Sequence, residues 1–265
     1  MEGLTIGRIH STAIVSKSAT LGAGVTIGAG TIVYDNVRIG EGVVIGPYCT
    51  IGEPIATYYR HDGYRNPDLV IGPRSLIRSH TVIYAGSTIG AHFECGHRAT
   101  IRENTRIGSH CRVGTLCDIQ GDCHLGDYVR LHSNVHVSQK SWIGNFVWIF
   151  PYTVLTNDPH PPSNLLQGVR IDDFAVLATM VVVLPGVHIG HDALVGAKAL
   201  VREDVPPEAV VVGSPAKQIC TIHEVRSRRT GEPVYPWREH FDRGMPWEGI
   251  GFEVWAKQSG FCTGR

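Results

Sequence analysis

From Ile9 onward an aliphatic side chain returns at every sixth position, first through Ile51, again from Ile71 to Leu155, and a third time from Ile171 to Val201. Twenty-nine positions keep this beat, and Cys95 alone among them is not Leu, Ile or Val. Glycine often follows directly, as at Gly28, Gly72, Gly108 and Gly190, and four residues on the slot is mostly small, as at Ala13, Ala19, Ala99 and Ala199. A period of six matches neither the 3.6 residues of a helical turn nor the simple alternation of a strand. It suits short strands that turn sharply onto one another, three to a coil. The pattern therefore predicts an all-β chain wound as a parallel β-helix.

Two gaps interrupt the beat. Twenty residues separate Ile51 from Ile71, and sixteen separate Leu155 from Ile171. Neither is a multiple of six, so residues 52–70 and 156–170 are expected to leave the coil as loops. The first is rich in Tyr, Arg and Pro, the second in Pro, Asn and His. Loops of that length in so regular a scaffold usually carry function. At eighteen residues per coil the repeats predict about ten coils, roughly 45 Å tall at the usual spacing of stacked strands.

The β-helix is assigned to residues 1–217 and a C-terminal tail or cap to residues 218–265. The tail holds three aromatic clusters, Tyr235–Trp237, Met245–Trp247 and Phe252–Trp255. A short helix is expected near Ile219–Arg229, with the remainder packing on the prism or on a neighbouring subunit, because an open end of a β-helix exposes unpaired backbone.

Composition changes this picture little. Lys+Arg and Asp+Glu are both 24, which removes any sequence-independent electrostatic grip on nucleic acid or acidic lipid. The opening MEGLTIGRIH lacks the basic-then-apolar order of a signal peptide, and no apolar run approaches the ~18 residues of a membrane helix. A cytoplasmic chain with no membrane or nucleic-acid partner is expected. The seven cysteines invite a metal or disulfide reading, but Cys49, Cys111, Cys117 and Cys123 occupy the small inward slot and Cys95 an aliphatic one, so they read as core fillers. His92 and His97, five apart, could contribute to a zinc site between subunits, but no third histidine is placed to complete it.

The coil length converts spacing into stacking, since residues eighteen apart sit one above another. Gln139 is thus expected under Asn157, Asp118 under His136, and Glu94 under Arg112. One corner should gather Asp118, Asn134, His136, Gln139 and Asn157, overhung by the second loop with Asp158 and His160. Polar groups converging beside a loop are the natural place to look for chemistry.

Three stretches carry a resemblance. LPGVHIGHDALVGAKALVREDVPPEAVVVGSPAK (Leu184–Lys217) resembles the C-terminal hallmark of the hexapeptide-repeat acyltransferases that use acetyl-CoA. FECGHRATIRENTRIG (Phe93–Gly108) and LHSNVHVSQKSWIGNFVWIFPYTVLTNDPHPPS (Leu131–Ser163) resemble a narrower group, which acylates the amino group of nucleotide-linked amino-dideoxy sugars. The resemblance implies a left-handed β-helix, a homotrimer, an acyl-CoA co-substrate and no metal. The acceptor it implies is a dTDP-linked 3- or 4-amino-dideoxy sugar used in building surface polysaccharide such as lipopolysaccharide O-antigen.

NVHVSQK (Asn134–Lys140) also resembles the lipid A acyltransferases, whose corresponding stretch carries a histidine as general base. Aligned on Asn134 and His136, that place holds Gln139. An amide cannot accept a proton at neutral pH. The departure argues against acylation of a hydroxyl, which needs a base, and for an amine acceptor. In the amino-sugar group a Gln there and an Asn one coil later are implied to orient acceptor and thioester, and Gln139 and Asn157 match both.

The same resemblance implies roles for the remaining candidates. Asp118 and Glu94 would anchor the ammonium or sugar hydroxyls, with Asn134, His97 and His136 nearby, and His136 the base if one is used. Ala178, Gly196, Lys198 and Lys217 would meet the pantetheine and phosphates of CoA, and Tyr58, Tyr59 and Arg60 the nucleotide of the sugar. The competing readings are a zinc-dependent γ-class carbonic anhydrase on the same fold, an O-acyltransferase, and a scaffold without catalysis.

Overall fold

Most six-residue repeats fold as a strand of two or three residues followed by a tight turn, and every third strand stacks in parallel register on the one a coil before. The computed structural model describes residues 7–261. Three sheets of ten, nine and eleven strands enclose a triangular prism, a left-handed parallel β-helix. The first face runs from Ile14–Val15 through Asp118–Ile119 and His136–Val137 to Leu200–Val201. The second runs from Thr20–Leu21 to His188–Ile189, and the third from Thr26–Ile27 to Ala209–Val212.

The aliphatic positions point inward as the period requires, and from Ile27 to Val201 all of them are buried. At the N-terminal coils Val15 and Leu21 are only partly covered, and Ile9 is 51% exposed, because fewer coils lie beneath them. The five cysteines assigned to the core are buried there. Burial pushes the thiols of Cys95 and Cys111 up to about 12, so they are neutral packing groups.

At the turns, the residue three after each aliphatic position commonly has a left-handed backbone, as at Asn36, Asn104, Asp122 and Asn134. None of these non-glycine residues is β-branched, which that conformation penalises most. Along the corner between the second and third faces this slot holds His92, His110, Tyr128, Phe146 and Phe174. Their rings stack with centroids 4.5–5.0 Å apart and planes within 15°. A left-handed residue costs ~1–2 kcal/mol, and an aromatic pair returns ~0.5–1.5 kcal/mol, so the column offsets much of its own strain.

Both loops leave the prism at the corner between the first and second faces. The first departs after Thr50–Glu53 and returns at Leu69–Ile71, and the second departs after Val154–Leu155 and returns at Arg170–Ile171. Asn66 pins the first loop: it is 3% exposed, its Nδ2 donates to Gly52 O at 2.8 Å, and its own carbonyl accepts from Asn36 Nδ2.

The tail departs from expectation. Instead of a helix near 219–229, Lys217–Thr221 turns back as an antiparallel strand on Ala209–Val212, followed by a single 3-10 turn at Ile222–Glu224. The unpaired edge of the last coil offers backbone partners that a solvated helix could not match. The helices come later, at Trp237–His240 and Phe252–Ser259. The first of them and the segment that follows it bring Trp237, Met245 and Trp247 into one apolar cluster with Phe146, Phe174 and Val176 on the outside of the prism, a second cluster separate from the prism's interior. Trp237 Nε1 donates to Phe174 O at 2.9 Å, and Arg238 pairs with the buried Asp192. No helix among the described residues is long and apolar enough to cross a membrane.

Candidate functional site

The predicted stacking holds residue by residue. Asp118 and His136 are register partners on the first face, Glu94 and Arg112 on the third. Asn157 Nδ2 donates to the backbone carbonyl of Gln139 at 3.4 Å.

The single polar corner does not form, because six residues of extended chain span a whole face. Asn134 is the turn residue at the edge shared by the third and first faces, and His136 lies in the strand. Gln139 and Asn157 sit at the opposite edge, shared with the second face. That edge is polar along the stretch between the two loops. Asp122 Oδ1 accepts from Asn104 Nδ2 at 3.0 Å, and its Oδ2 accepts from Gln139 Nε2 at 2.6 Å. Asp122 was not singled out from the sequence, although it lies one coil below Lys140 and is thus the natural partner of Gln139 from beneath.

On the face itself His136 Nδ1 is 3.3 Å from Asp118 Oδ2, and Gln120 Nε2 donates to the same carboxylate. The bond to His136 leads the effects that hold Asp118 below the usual carboxylate range, against partial desolvation. With Nδ1 turned to Asp118, the Nε2 of His136 is the ring nitrogen left for a ligand.

The remaining candidates fall into three groups. His97 lies at the third–first edge, its Nδ1 2.8 Å from Ser79 Oγ, while Glu94 accepts from Arg112 at 3.3 Å on the third face. Ala178, Gly196 and Lys198 line the same third–first edge near the C-terminal end, and exposed Lys217 opens the returning strand beside them. Tyr58, Tyr59 and Arg60 sit in the first loop, where Tyr58 packs edge-on against Tyr34, Tyr59 and Tyr64 and Tyr59 donates to Glu53 at 3.0 Å. Arg60 is exposed. In the second loop Asp158 is spent on its own turn, accepting from the backbone of His160 and Ser163 and from the Ser163 hydroxyl. His92 and His97 lie at opposite edges of the third face, and His92 is stacked on His110, so the two do not pair toward a common ion.

Comparison with known proteins agrees with this architecture. Residues 18–53 and 104–139 match the bacterial transferase hexapeptide (six repeats) family. A stretch of 88 residues is 40% identical to a Schizosaccharomyces pombe chain that carries an acetyltransferase name, covering 30% of this chain and 42% of that one. Another of 86 residues is 38% identical to a 2,3,4,5-tetrahydropyridine-2,6-dicarboxylate N-acetyltransferase of Staphylococcus aureus, covering 32% of this chain and 35% of the other. The chain thus spans less than half the length of these relatives. Over the whole fold it is similar to an Arabidopsis UDP-N-acetylglucosamine acyltransferase, with a TM-score of 0.68 and 19% identity over 95% of this chain and 88% of that one.

Proposed function

We propose, on the premise that this chain is a hexapeptide-repeat protein wound as a left-handed β-helix, that it is an acyl-CoA-dependent N-acyltransferase. Its donor is acetyl-CoA or another short acyl-CoA. Its acceptor is the amino group of a nucleotide-linked amino-dideoxy sugar, with dTDP as the nucleotide and the amine at position 3 or 4, made in the cytoplasm for surface polysaccharide. The observation that carries this reading is Gln139. Its Nε2 is committed to Asp122, so Oε1 is the group that accepts an N–H from the incoming amine. A neutral amine needs orientation more than it needs a base. One of the relatives is named as an N-acetyltransferase, which accords with a nitrogen acceptor.

In the proposed step the amine nitrogen attacks the thioester carbonyl and a backbone N–H stabilises the oxyanion. The C–S bond then breaks, and the departing CoA thiolate takes up the proton released by the nitrogen. Asn157 holds the pantetheine arm or the acceptor, and Asp118 with His136 engages the sugar. Gln139 and Asn157 lie at one edge of the first face and the CoA-side residues Ala178, Gly196, Lys198 and Lys217 at the other. A cyclic homotrimer resolves this separation, because it can set one subunit's first–second edge against its neighbour's third–first edge.

A second reading rests on the Asp118–His136 pair, whose geometry is that of a base and its orienting carboxylate: O-acylation of a sugar hydroxyl. Thiol release, measured for a panel of short acyl-CoAs against dTDP-linked amino sugars and their hydroxyl counterparts, separates the two. Release with amino sugars alone is expected. Release with hydroxyl sugars alone would overturn the proposal.

A further inference from the structure

Beneath the tail, on the third face, two cavities share Trp148 and Phe241 as a common wall. The larger, about 580 Å³, is bordered by Arg112, Arg130, His132 and Arg243. The smaller, about 230 Å³, lies among Phe150, Val176, Tyr235 and Trp237. Neither is lined by Asp118, His136, Gln139 or Asn157, although Arg112 of the larger cavity pairs with Glu94 of the acceptor-side candidates.

The larger cavity has an unbalanced charge. Arg130 is 6% exposed and donates to the carbonyl oxygens of His110 and Gly244. Among the described residues no carboxylate lies within ion-pair distance of Arg130 or Arg243, and Arg112 has only the half-exposed Glu94 at 3.3 Å. Burying a guanidinium beside others of like sign is unfavourable unless an anion completes the set. Desolvation, with Arg112 adding to it, brings the Arg130 guanidinium down to about 10.

The indole of Trp148 adds a second, independent sign. Its Nε1 is buried without a hydrogen-bond partner, and its ring walls both cavities. An indole N–H in such a place wants an acceptor. The smaller cavity argues for the other half of the ligand. Of its three polar wall groups, the Trp237 indole is spent on Phe174 O and the Trp148 Nε1 is closed off from solvent, which leaves the Tyr235 hydroxyl. A nucleobase seated there would leave polar edges unpaired, whereas a hydrocarbon would lose nothing.

We propose that the two cavities form one site for an amphiphilic phosphate. The phosphomonoester head is held by Arg130, Arg112 and Arg243, and a short hydrocarbon tail lies against Trp148, Trp237 and Phe241. On binding, the Trp148 side chain shifts to bring its closed-off Nε1 to a head-group oxygen at the junction.

The test is titration of the full-length protein with hexyl phosphate, followed by calorimetry and tryptophan fluorescence. Saturable binding at one site per chain is expected, at least about tenfold tighter than hexanol or inorganic phosphate alone. Arg243→Gln, a change at an exposed side chain, should weaken it about tenfold while leaving the unliganded Tm unchanged. Arg130→Met should abolish it, but Arg130 also anchors Gly244, so Arg243→Gln keeps the result interpretable if that variant fails to fold. Equal affinity for hexanol, indifference to Arg243→Gln, or no binding at millimolar hexyl phosphate would each overturn the proposal. So would binding seen only with vesicles containing phosphatidic acid, because the cavity lies under the tail and admits a single soluble molecule.

Discussion

His136 Nδ1 faces Asp118 Oδ2 at 3.3 Å across one coil of the first face, the two residues being exact register partners in the ladder. The pair has a signature in acid. Asp118 is held below its ordinary value, so its stabilising contribution is present above the unfolded carboxylate range near ~3.9 and is lost as pH falls through the lower folded value. Asp118→Asn should therefore be less stable than the parent at neutral pH, and the difference should vanish in strong acid. Both side chains are about two-fifths exposed, so the gap belongs with exposed pairs, within ~0–1 kcal/mol. Urea unfolding at pH 7 and at pH 2 reads it. A gap that grows on acidification would reverse the assignment.

Gln139→Ala should lower kcat by roughly one to two decades, less than the about 10²–10⁴ lost with a true general base. The wild-type rate should rise as the substrate ammonium loses its proton to give the neutral amine, rather than with an imidazole near ~6.5. His136→Asn should cost only part of the activity. If it abolishes turnover while both substrates still bind, His136 is the base and the amine does not act unaided.

Trp247 is 1% exposed and packs against Phe146, Trp237, Phe252 and Trp255. Trp247→Ala should destabilise the protein by ~3–5 kcal/mol. Equilibrium unfolding followed by near-UV circular dichroism measures it, and a loss below ~1 kcal/mol would mean that the tail is not docked as described.

Gly90 lies where consecutive coils touch. A Cβ there would come within 2.6 Å of Gly108 C and Ser109 N, backbone that cannot rotate away. Gly90→Ala should cost ~1–3 kcal/mol. The same change at Gly63, which has open space around it but a left-handed φ of 85°, should cost less, ~0.5–2 kcal/mol, by backbone strain alone. Thermal unfolding of the two variants side by side gives the comparison.

Cys49, Cys95, Cys111, Cys117 and Cys123 are buried, and Cys95 and Cys111 are raised to about 12. None of the five should react with iodoacetamide at pH 8 in the native state. Cys220 is partly exposed and should be labelled. Peptide mapping by mass spectrometry decides, and early labelling of Cys111 would place it outside the core.

The prism was readable because its code is short. One aliphatic in six, repeated from Ile9 to Val201, names the inward side chain, and two broken intervals name both loops. Stacking was readable for the same reason, since Asp118 and His136 differ by one coil length. Width was not. Nothing in the spacing of Asn134 and Gln139 reveals that five residues of extended chain carry them to opposite edges of a face. The tail lacked any period, so the strand at Lys217–Thr221 could be found only from the unpaired edge it covers. Arg130 escaped notice because its slot is ordinarily exposed. Here it is buried, and its guanidinium donates to Gly244 O, 114 residues further on.

Both loops leave at the same edge, and the strands between their departure points, from Thr50–Glu53 to Val154–Leu155, advance by five steps. At the usual strand spacing that separation is roughly 24 Å. It can change only in whole steps. Deleting eighteen residues between the loops would bring them one step closer and leave every later side chain on its original face, whereas deleting six would turn everything beyond by a third of a revolution. The reach between the two overhangs is therefore a quantised length, adjustable by insertion or deletion of entire coils without redesigning either end.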